Sequence, residues 1–196
     1  MNNTDVPIER HPLEPFLPDG ARLLMLGSFP PPRKRWCMDF FYPNPSNQMW
    51  NIFGLIFFDD AERLVDKAQR TFRLSEIKSL LSERGIGIFD TAVAVRRLSG
   101  TASDKDLQIV EKTDLPALLK HIPDCHDIVC TGQKSFSVLT DDYGVSVPTM
   151  GGHNPFTLAG REMRLWRMPS SSRAYPMKLH EKAEYYRRMM VTIGIL

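Results

Sequence analysis

Four short, almost continuously apolar runs constrain the fold of this chain more than any other feature of its sequence. A run of this kind predicts a strand that is buried on both faces of a sheet. Strands that alternate with helices predict a parallel sheet covered on both sides. The sequence therefore predicts an α/β fold with three layers, α/β/α, around a central, mainly parallel four-stranded sheet. The predicted strands are Arg22–Gly27, Gly85–Ala92, Asp127–Thr131 and Met163–Met168, and the predicted helices are Asn47–Phe58, Leu74–Arg84, Asp114–His121, Gln133–Leu139 and a last one from Pro176.

Length and composition indicate how the chain is organised. With 196 residues, of which 42% are hydrophobic, it is long enough for one α/β domain with a substantial core. The first 20 residues are rich in proline and polar side chains, so we expect an N-terminal arm on the surface at residues 1–20 and a single domain at residues 21–196. No apolar run reaches the roughly 18–20 residues of a membrane helix, and the N-terminus has no signal-like region. We therefore expect a cytoplasmic monomer with no membrane partner.

Cysteine spacing and net charge limit which cofactors and partners we expect. Cys37, Cys125 and Cys130 lack the spacing of metal ligands and fit thiols in a reducing compartment. Because there is no set of four cysteines for an iron–sulfur cluster, we expect neither a metal nor another cofactor. The net charge of +2 does not by itself indicate nucleic-acid binding. An enzyme that holds a few phosphates needs only a local basic rim, however, so DNA stays open as a partner.

Ligands of parallel α/β sheets bind beyond the carboxyl ends of the strands. The loops at these ends follow Gly27, Phe89, Cys130 and Met168. The first loop begins with GSFPP, and the segment YPNPSNQMW follows it at residues 42–50. Its prolines make the loop stiff, and the aromatic residues around it offer a flat surface for a flat ligand. Tyr42 fits either that surface or the core, and Asn47 lies at the predicted start of a helix.

The last of these loops, after Met168, has the sequence PSSSRAYP at residues 169–176. Small hydroxyl residues and free backbone N–H groups suit phosphate oxygens, and Arg173 adds a positive charge. Clusters of serine and proline also occur in loops that have no ligand, so this loop alone does not decide the function.

Taken together, these segments resemble motifs of the uracil-DNA glycosylase superfamily, most closely its mismatch-specific and hypoxanthine-DNA glycosylase-like branches. The matching features are a strand followed by Gly-x-x-Pro-Pro, then Tyr-x-x-Pro-x-Asn-x-x-Trp, and a late Pro-Ser-x-Ser before the C-terminal helix. The segment GIGIFDTAVAVR at residues 85–96 is similar to the second strand of that family, whose polar residue reads the base. The resemblance extends over residues 20–190, which is most of the chain.

The resemblance implies a monofunctional DNA glycosylase that hydrolyses the N-glycosidic bond of a flipped deaminated base, hypoxanthine or uracil in mismatches, in base-excision repair. It implies that Tyr42 stacks on the flipped base, that Asp90 reads the base and that Asn47 positions the attacking water. The expected catalytic residues are Asn47 and Asp90, the base-binding residues are Ser28, Phe29, Tyr42, Asp90 and Thr131, and the DNA-binding residues are Ser170, Ser171, Ser172, Arg173 and Tyr175.

Two positions depart from the classical members of that superfamily. Phe29 stands where those enzymes have an asparagine or aspartate that orients the water, and Met168 stands where they have a histidine that stabilises the leaving base. The hypoxanthine-type branch also lacks the first of these groups. The departures leave a non-catalytic DNA or nucleotide binder on the same fold open as an alternative.

A serine esterase on a flavodoxin-like sheet is a second enzyme class, because Ser28 follows the first strand and His180 lies near the C-terminus. That class has Gly-Asp-Ser and a late Asp-x-x-His, whereas this chain has Met177 at the place of the late aspartate. Other candidates for chemistry or DNA contact have ordinary explanations as turn or solvated surface residues. They are Asp39 as a general base, His153 in a glycine-rich loop and the basic cluster Arg33–Arg35.

Overall fold

The structure, a computed structural model, describes residues 6–99 and 106–196. Within these residues the α/β class is confirmed. The elements in chain order are β1 (Ile8–Arg10), β2 (Leu23–Gly27), α1 (Met49–Phe58), β3 (Val65–Asp66), β4 (Thr71–Phe72), α2 (Leu74–Arg84), β5 (Ile86–Asp90), β6 (Ala92–Arg97), β7 (Leu107–Lys112), α3 (Leu115–His121), β8 (Asp127–Cys130), α4 (Gln133–Tyr143), β9 (His153–Leu158), β10 (Arg161–Arg167) and α5 (Leu179–Thr192).

The main sheet has five strands in the order β5-β2-β8-β10-β9, rather than the four that the sequence predicted. The four predicted strands are its parallel members, and β9 adds an antiparallel edge beside β10. β9 was missed because its sequence, HNPFTL, contains Pro155 and follows two glycines, which is a loop-like composition. Proline is tolerated in an edge strand, where one side of the backbone needs no partner.

The predicted second strand, Gly85–Ala92, is in fact parts of two strands in different sheets. β5 ends at Asp90, the chain bends at Thr91, and β6 begins at Ala92. β6 lies between β1 and β7 in a separate antiparallel sheet of three strands. Thr91 donates its backbone N–H to the carbonyl oxygen of Gly27 (2.9 Å), so the bend stays tied to the end of β2.

The described part of the predicted surface arm, residues 6–20, is attached to both of these sheets by backbone pairing; residues 1–5 lie outside the described residues. β1 pairs with β6, with Ile8 opposite Arg96. Further along, Phe16 exchanges two backbone hydrogen bonds with Ile88 of β5, at 2.8 and 3.0 Å. Because β5 is the outer strand of the main sheet, this contact covers an edge that would otherwise have unpaired backbone groups.

The strand order places the helices on two faces of the main sheet. The chain passes from β2 outward to β5, then back across β2 to β8 and on to β10, so the direction of the crossovers reverses after β5. Because crossovers between parallel strands are right-handed, α1 and α2 belong on one face and α3 and α4 on the other. The reversal makes the space between β2 and β8 the topological switch point, where ligands of such sheets bind.

α1 illustrates how the sequence forms the core. Its sequence, MWNIFGLIFF, is apolar on almost every side, which is typical of a helix buried all round. Trp50 and Phe53 have no exposed surface, and α1 packs against α5, whose inner face includes the equally buried Tyr186. The helix ends at Asp59, which adopts a left-handed conformation (φ 56°) and so stops the helical hydrogen bonding. No helix of the described residues has the length and apolarity to cross a membrane.

Asp127, at the start of β8, links two strands of the main sheet far from their carboxyl ends. Its carboxylate accepts hydrogen bonds from Nε1 of Trp166 (2.6 Å) and from the guanidinium of Arg164 (2.7 Å), both on β10. Only 5% of the Asp127 side chain is exposed, against 36% for Arg164, so the indole contact is the more deeply buried of the two.

We expect Asp127→Ala to lower the free energy of unfolding by about 2–3 kcal/mol, because it leaves a buried indole N–H and an arginine without their acceptor. Asp127→Asn keeps an oxygen for Trp166 and should cost about half as much. Urea denaturation measures both values. Equal stability of the alanine variant and the wild type would contradict this assignment.

Candidate active site

A cleft of about 1280 Å³ opens at the carboxyl ends of the parallel strands. All four predicted loops contribute to it, through Gly27 at the end of β2, Asp90 at the end of β5, Cys130 at the end of β8 and Met168 after β10. The cleft thus includes the switch point between β2 and β8. Every predicted site residue lines it, namely Ser28, Phe29, Tyr42, Asn47, Asp90, Thr131, Ser170, Ser171, Ser172, Arg173 and Tyr175.

Tyr42 spans the cleft from the first loop to the end of β8. Its hydroxyl is 3.1 Å from Oγ1 of Thr131, and its ring meets that of Trp50 edge-on, with centroids 6.0 Å apart. Its backbone is in the left-handed region (φ 51°), which is uncommon for a bulky residue and tends to occur at functional sites. The half-buried ring is therefore held in one orientation by its backbone, by Thr131 and by Trp50.

Phe29 lines the cleft but has little exposed surface. It is 8% exposed and packs into a small second core with Ala92, Val95 and Leu107. The bend after β5 brings β6 under the first loop, and this long-range packing gave no signal in the local sequence. Phe29 is thus a packing residue as well as a lining residue, and a contact of its ring with a base stays a prediction.

Asp90 is the end of β5 and projects beside Gly27, its partner in the β2–β5 register. Oδ2 of Asp90 lies 2.9 Å from Nε2 of His11, a residue of the N-terminal arm that sequence reasoning did not select. The two side chains are 10% and 3% exposed. A Cβ atom at position 27 would overlap Oδ1 of Asp90, so the missing side chain of Gly27 provides the space for the carboxylate.

Asn47 precedes α1, and its side chain makes one hydrogen bond with the described residues. Its Oδ1 accepts a hydrogen bond from the backbone N–H of Met49 (2.9 Å), the first residue of the helix. An amide oxygen has two lone pairs, so Oδ1 keeps one for a further donor. Among the described residues, no acceptor is hydrogen-bonded to its Nδ2. Asn47 thus stabilises the helix start and still offers hydrogen-bonding groups to the cleft it lines.

The loop that holds the three serines is tied to the loop before α1. The backbone N–H of Gln48 donates to the carbonyl oxygen of Ser171 (2.8 Å), and Ser172 forms a β-bridge with Asn47. From α5, Nζ of Lys182 donates to the carbonyl oxygen of Ser172 (2.7 Å) and to Oε1 of Gln48 (2.8 Å). The two loops therefore form one wall of the cleft.

Lys182 is a second residue that sequence reasoning missed. It has no exposed surface, and burial lowers the pKa of its ammonium group. Among the described residues no carboxylate forms an ion pair with it. Helical spacing predicted which residues near Lys182 lie on the inner face of α5. It did not predict which hydrogen-bond acceptors a lysine on that helix would contact.

Positive charge prevails around the cleft. Among the described lining residues, the cationic side chains are Arg35, Lys134, Arg167 and Arg173, and the one carboxylate is that of Asp90. Burial raises the pKa of the Cys130 thiol to about 12, so this lining residue stays protonated near neutral pH and is no nucleophile. Met168, 4% exposed, adds an apolar surface where a histidine would stand in classical enzymes.

Several alternative candidates do not line the cleft. Asp39 is exposed and pairs with Arg33, which also lies over the ring of Trp36 at 4.3 Å. His153 belongs to β9 and packs on Trp166, with ring centroids 4.4 Å apart. His180 is exposed on α5. Within residues 6–99 and 106–196, no group of three or more His, Cys, Asp or Glu side chains could hold a metal ion.

Comparison with known proteins agrees with the fold that the motifs predicted. No protein-family model and no curated protein matches this sequence. Among solved structures, the chain is similar to a solution NMR structure from Methanosarcina acetivorans that is provisionally named a uracil DNA glycosylase. The two share 21% sequence identity with a TM-score of 0.59, over 93% of this chain and 99% of that one. The predicted resemblance to the uracil-DNA glycosylase superfamily is therefore confirmed as a likeness of fold, and the branch stays a prediction.

The close approach of Gly27 to Asp90 makes a prediction about stability. Gly27→Ala should lower the free energy of unfolding by about 1–3 kcal/mol, because the new methyl group displaces a carboxylate that His11 holds in place. In an Asp90→Ala background, where no carboxylate occupies the space, the same change should lower the free energy of unfolding by clearly less. Urea denaturation of the four proteins gives the coupling. Equal costs in the two backgrounds would mean that Asp90 does not limit this position.

Proposed function

We propose that this protein is a DNA glycosylase that removes a deaminated base, hypoxanthine or mispaired uracil, in base-excision repair. The observation that carries the proposal is the meeting of Tyr42, Asn47 and Asp90 in one cleft at the carboxyl ends of the parallel strands. They supply an aromatic surface, an amide and a carboxylate, which suit the stacking of a base, the holding of a water and the reading of a base edge. The fold shared with the M. acetivorans protein supports the same class of activity.

The charge of the cleft fits a DNA partner. Among the described residues, four cationic side chains and one carboxylate line the cleft, so its entrance attracts phosphate groups although the whole chain carries only +2. Ser170, Ser172 and Arg173 offer hydroxyl groups and a guanidinium on one wall. Such groups contact phosphate and position the duplex without reading its sequence.

Excision requires that the nucleotide leave the duplex, since its C1′ atom is inaccessible inside the stack. In the proposed reaction Tyr42 stacks on the flipped base, and Asn47 holds a water near C1′. The water oxygen bonds to C1′ as the C1′–N bond breaks through an oxocarbenium-like state. The bonding electron pair leaves with the base, and the proton that the water loses balances the proton that the base gains.

A non-catalytic DNA binder is the alternative, because Met168 and Phe29 put apolar side chains where classical enzymes have catalytic groups. Duplexes with one uracil or hypoxanthine, incubated with the protein and then treated with alkali, separate the two. Strand cleavage at the damaged site supports the glycosylase, and binding without cleavage supports the binder. The serine esterase is disfavoured, since Ser28 is 7% exposed and His180 lies outside the cleft; p-nitrophenyl acetate tests it directly.

Tyr42→Ala should reduce binding or turnover of a damaged duplex by roughly 5- to 150-fold, the worth of stacking one base on an aromatic ring. Tyr42→Phe keeps the ring and removes the hydroxyl that contacts Thr131, so its effect should be small. Fluorescence anisotropy and single-turnover excision measure both. An alanine variant that folds, binds and cleaves like the wild type would make Tyr42 a packing residue only.

Asn47→Ala should cut excision by roughly 100-fold while leaving the affinity for a damaged duplex nearly unchanged, because a contact made in the transition state affects turnover. Two further variants separate this role from the helix start. Asn47→Ser retains an oxygen for the amide of Met49 but no longer reaches the water, so it should stay folded and slow. Asn47→Asp keeps an acceptor at the same reach and should retain activity. Parallel losses of stability and excision across the three variants would reduce Asn47 to a capping residue.

A further inference from the structure

His11 is the buried partner of the single described carboxylate in the cleft. Its ring lies among three phenylalanine rings, with centroids 5.4 Å from Phe29, 6.2 Å from Phe41 and 4.7 Å from Phe89. Nε2 contacts Oδ2 of Asp90 at 2.9 Å, while Nδ1 is 2.8 Å from the carbonyl oxygen of Leu13. His11 does not line the cleft, and its hydrogen bond to a lining side chain is the one to Asp90.

These contacts restrict where the protons lie. One arrangement places a proton on Nδ1, which then donates to the carbonyl oxygen of Leu13 at 2.8 Å. One further proton then lies between Nε2 and Oδ2 of Asp90, on the imidazole or on the carboxyl group. If instead the N–H of Leu13 donates to Nδ1 (3.2 Å), neutral His11 carries its proton on Nε2. In all three arrangements Oδ1 of Asp90 carries no proton.

Oδ1 is also the oxygen that a ligand can reach. Oδ2 is engaged by His11, and among the described residues no group donates a hydrogen bond to Oδ1. The exposed tenth of the Asp90 side chain faces the cleft that this residue lines. Oδ1 therefore presents an acceptor, and only an acceptor, to whatever binds there.

We infer that His11 is a positioning residue that keeps Oδ1 of Asp90 free of a proton, so that the cleft recognises a base by accepting a hydrogen bond from its ring N–H. The inference rests on the proposed function and deepens it. Deamination turns the N3 lone pair of cytosine into the N3–H of uracil, and the N1 lone pair of adenine into the N1–H of hypoxanthine. An obligate acceptor thus distinguishes each deaminated base from its parent.

The parent bases present a lone pair to Oδ1, and a buried pair of facing acceptors is strongly unfavourable. We expect hypoxanthine to be excised at least about 100-fold faster than adenine, and uracil than cytosine, at equal enzyme concentration. Guanine and thymine also carry a ring N–H, so this contact does not exclude them, and their additional amino or methyl group is left to the shape of the cleft.

Two substitutions of His11 test the inference. His11→Phe keeps an aromatic ring among the three phenylalanines and removes both nitrogen atoms. It should slow excision of hypoxanthine and uracil by roughly 10- to 100-fold at saturating duplex, with little change in KM, and lower the preference over the parent bases. His11→Gln places an amide N–H near the position of Nε2 and should restore most of the rate and of the preference.

Glu9→Gln is the matched control. Glu9 belongs to β1, two residues before His11, and pairs with Arg97 of β6 at 3.1 Å. Its substitution loosens the same segment without touching Asp90, so the rate and the preference between bases should stay near those of the wild type. In an Asp90→Asn background, moreover, His11→Phe should cost little further activity, because no carboxylate is left to position.

The outcomes are distinct. The inference is supported if His11→Phe excises deaminated bases slowly and with little preference over their parents, while His11→Gln and Glu9→Gln remain active and selective. His11→Phe with wild-type rates, or Glu9→Gln with an equal loss, overturns it, and so does faster excision of adenine or cytosine than of their deaminated forms. Inactivity of the wild-type protein on every duplex overturns the proposed function itself. If His11→Phe does not fold, the NMR signals of the His11 ring nitrogens are compared between the wild type and Asp90→Asn. A change in these chemical shifts supports the contact between His11 and Asp90, and identical shifts overturn it.

Discussion

Parallel pairing of β2 with β5 sets Gly27 opposite Asp90 at the last position of both strands. A shift of this register by one residue would turn the Asp90 side chain to the other face of the sheet. Any side chain at position 27 would occupy the space of the carboxylate. The bend that follows at Thr91 starts β6, and β6 carries β1 and hence His11 to the same place. The chemistry available in the cleft therefore depends on how two largely buried strands end.

The four parallel strands and the position of the site could be predicted because both depend on local sequence. A run such as LLMLG at residues 23–27 is compatible with little other than a buried strand, and the rule for carboxyl ends then selects the loops that follow. Residues as far apart as Tyr42 and Ser172, which the sequence placed in loops of this site, line one cleft. The motif also predicted that Asn47 lies at the start of α1. It did not predict the hydrogen bond that its side chain accepts from the backbone N–H of Met49.

Contacts between segments distant in sequence could not be predicted. His11 lies in a proline-rich stretch whose composition is typical of surface, and its burial depends on pairing with β6, more than 80 residues further on. The same strand buries Phe29, which the motif had assigned to the base. Lys182 is buried because two loops from other parts of the chain bring it a carbonyl oxygen and an amide oxygen. In each case the deciding partner is absent from the local sequence.

The charge of the cleft bears on how a base could leave without a histidine at position 168. A departing base takes the electron pair of the glycosidic bond, so an isolated carboxylate beside it would raise the barrier. Where Nδ1 of His11 carries a proton, the pair of Asp90 and His11 is neutral as a whole, while Oδ1 of Asp90 remains an acceptor. The cationic residues that line the cleft, among them Arg167 next to Met168, then favour the developing negative charge. In the proposed reaction, the functions of base reading and of leaving-group stabilisation are thus divided between the Asp90–His11 pair and a positive rim.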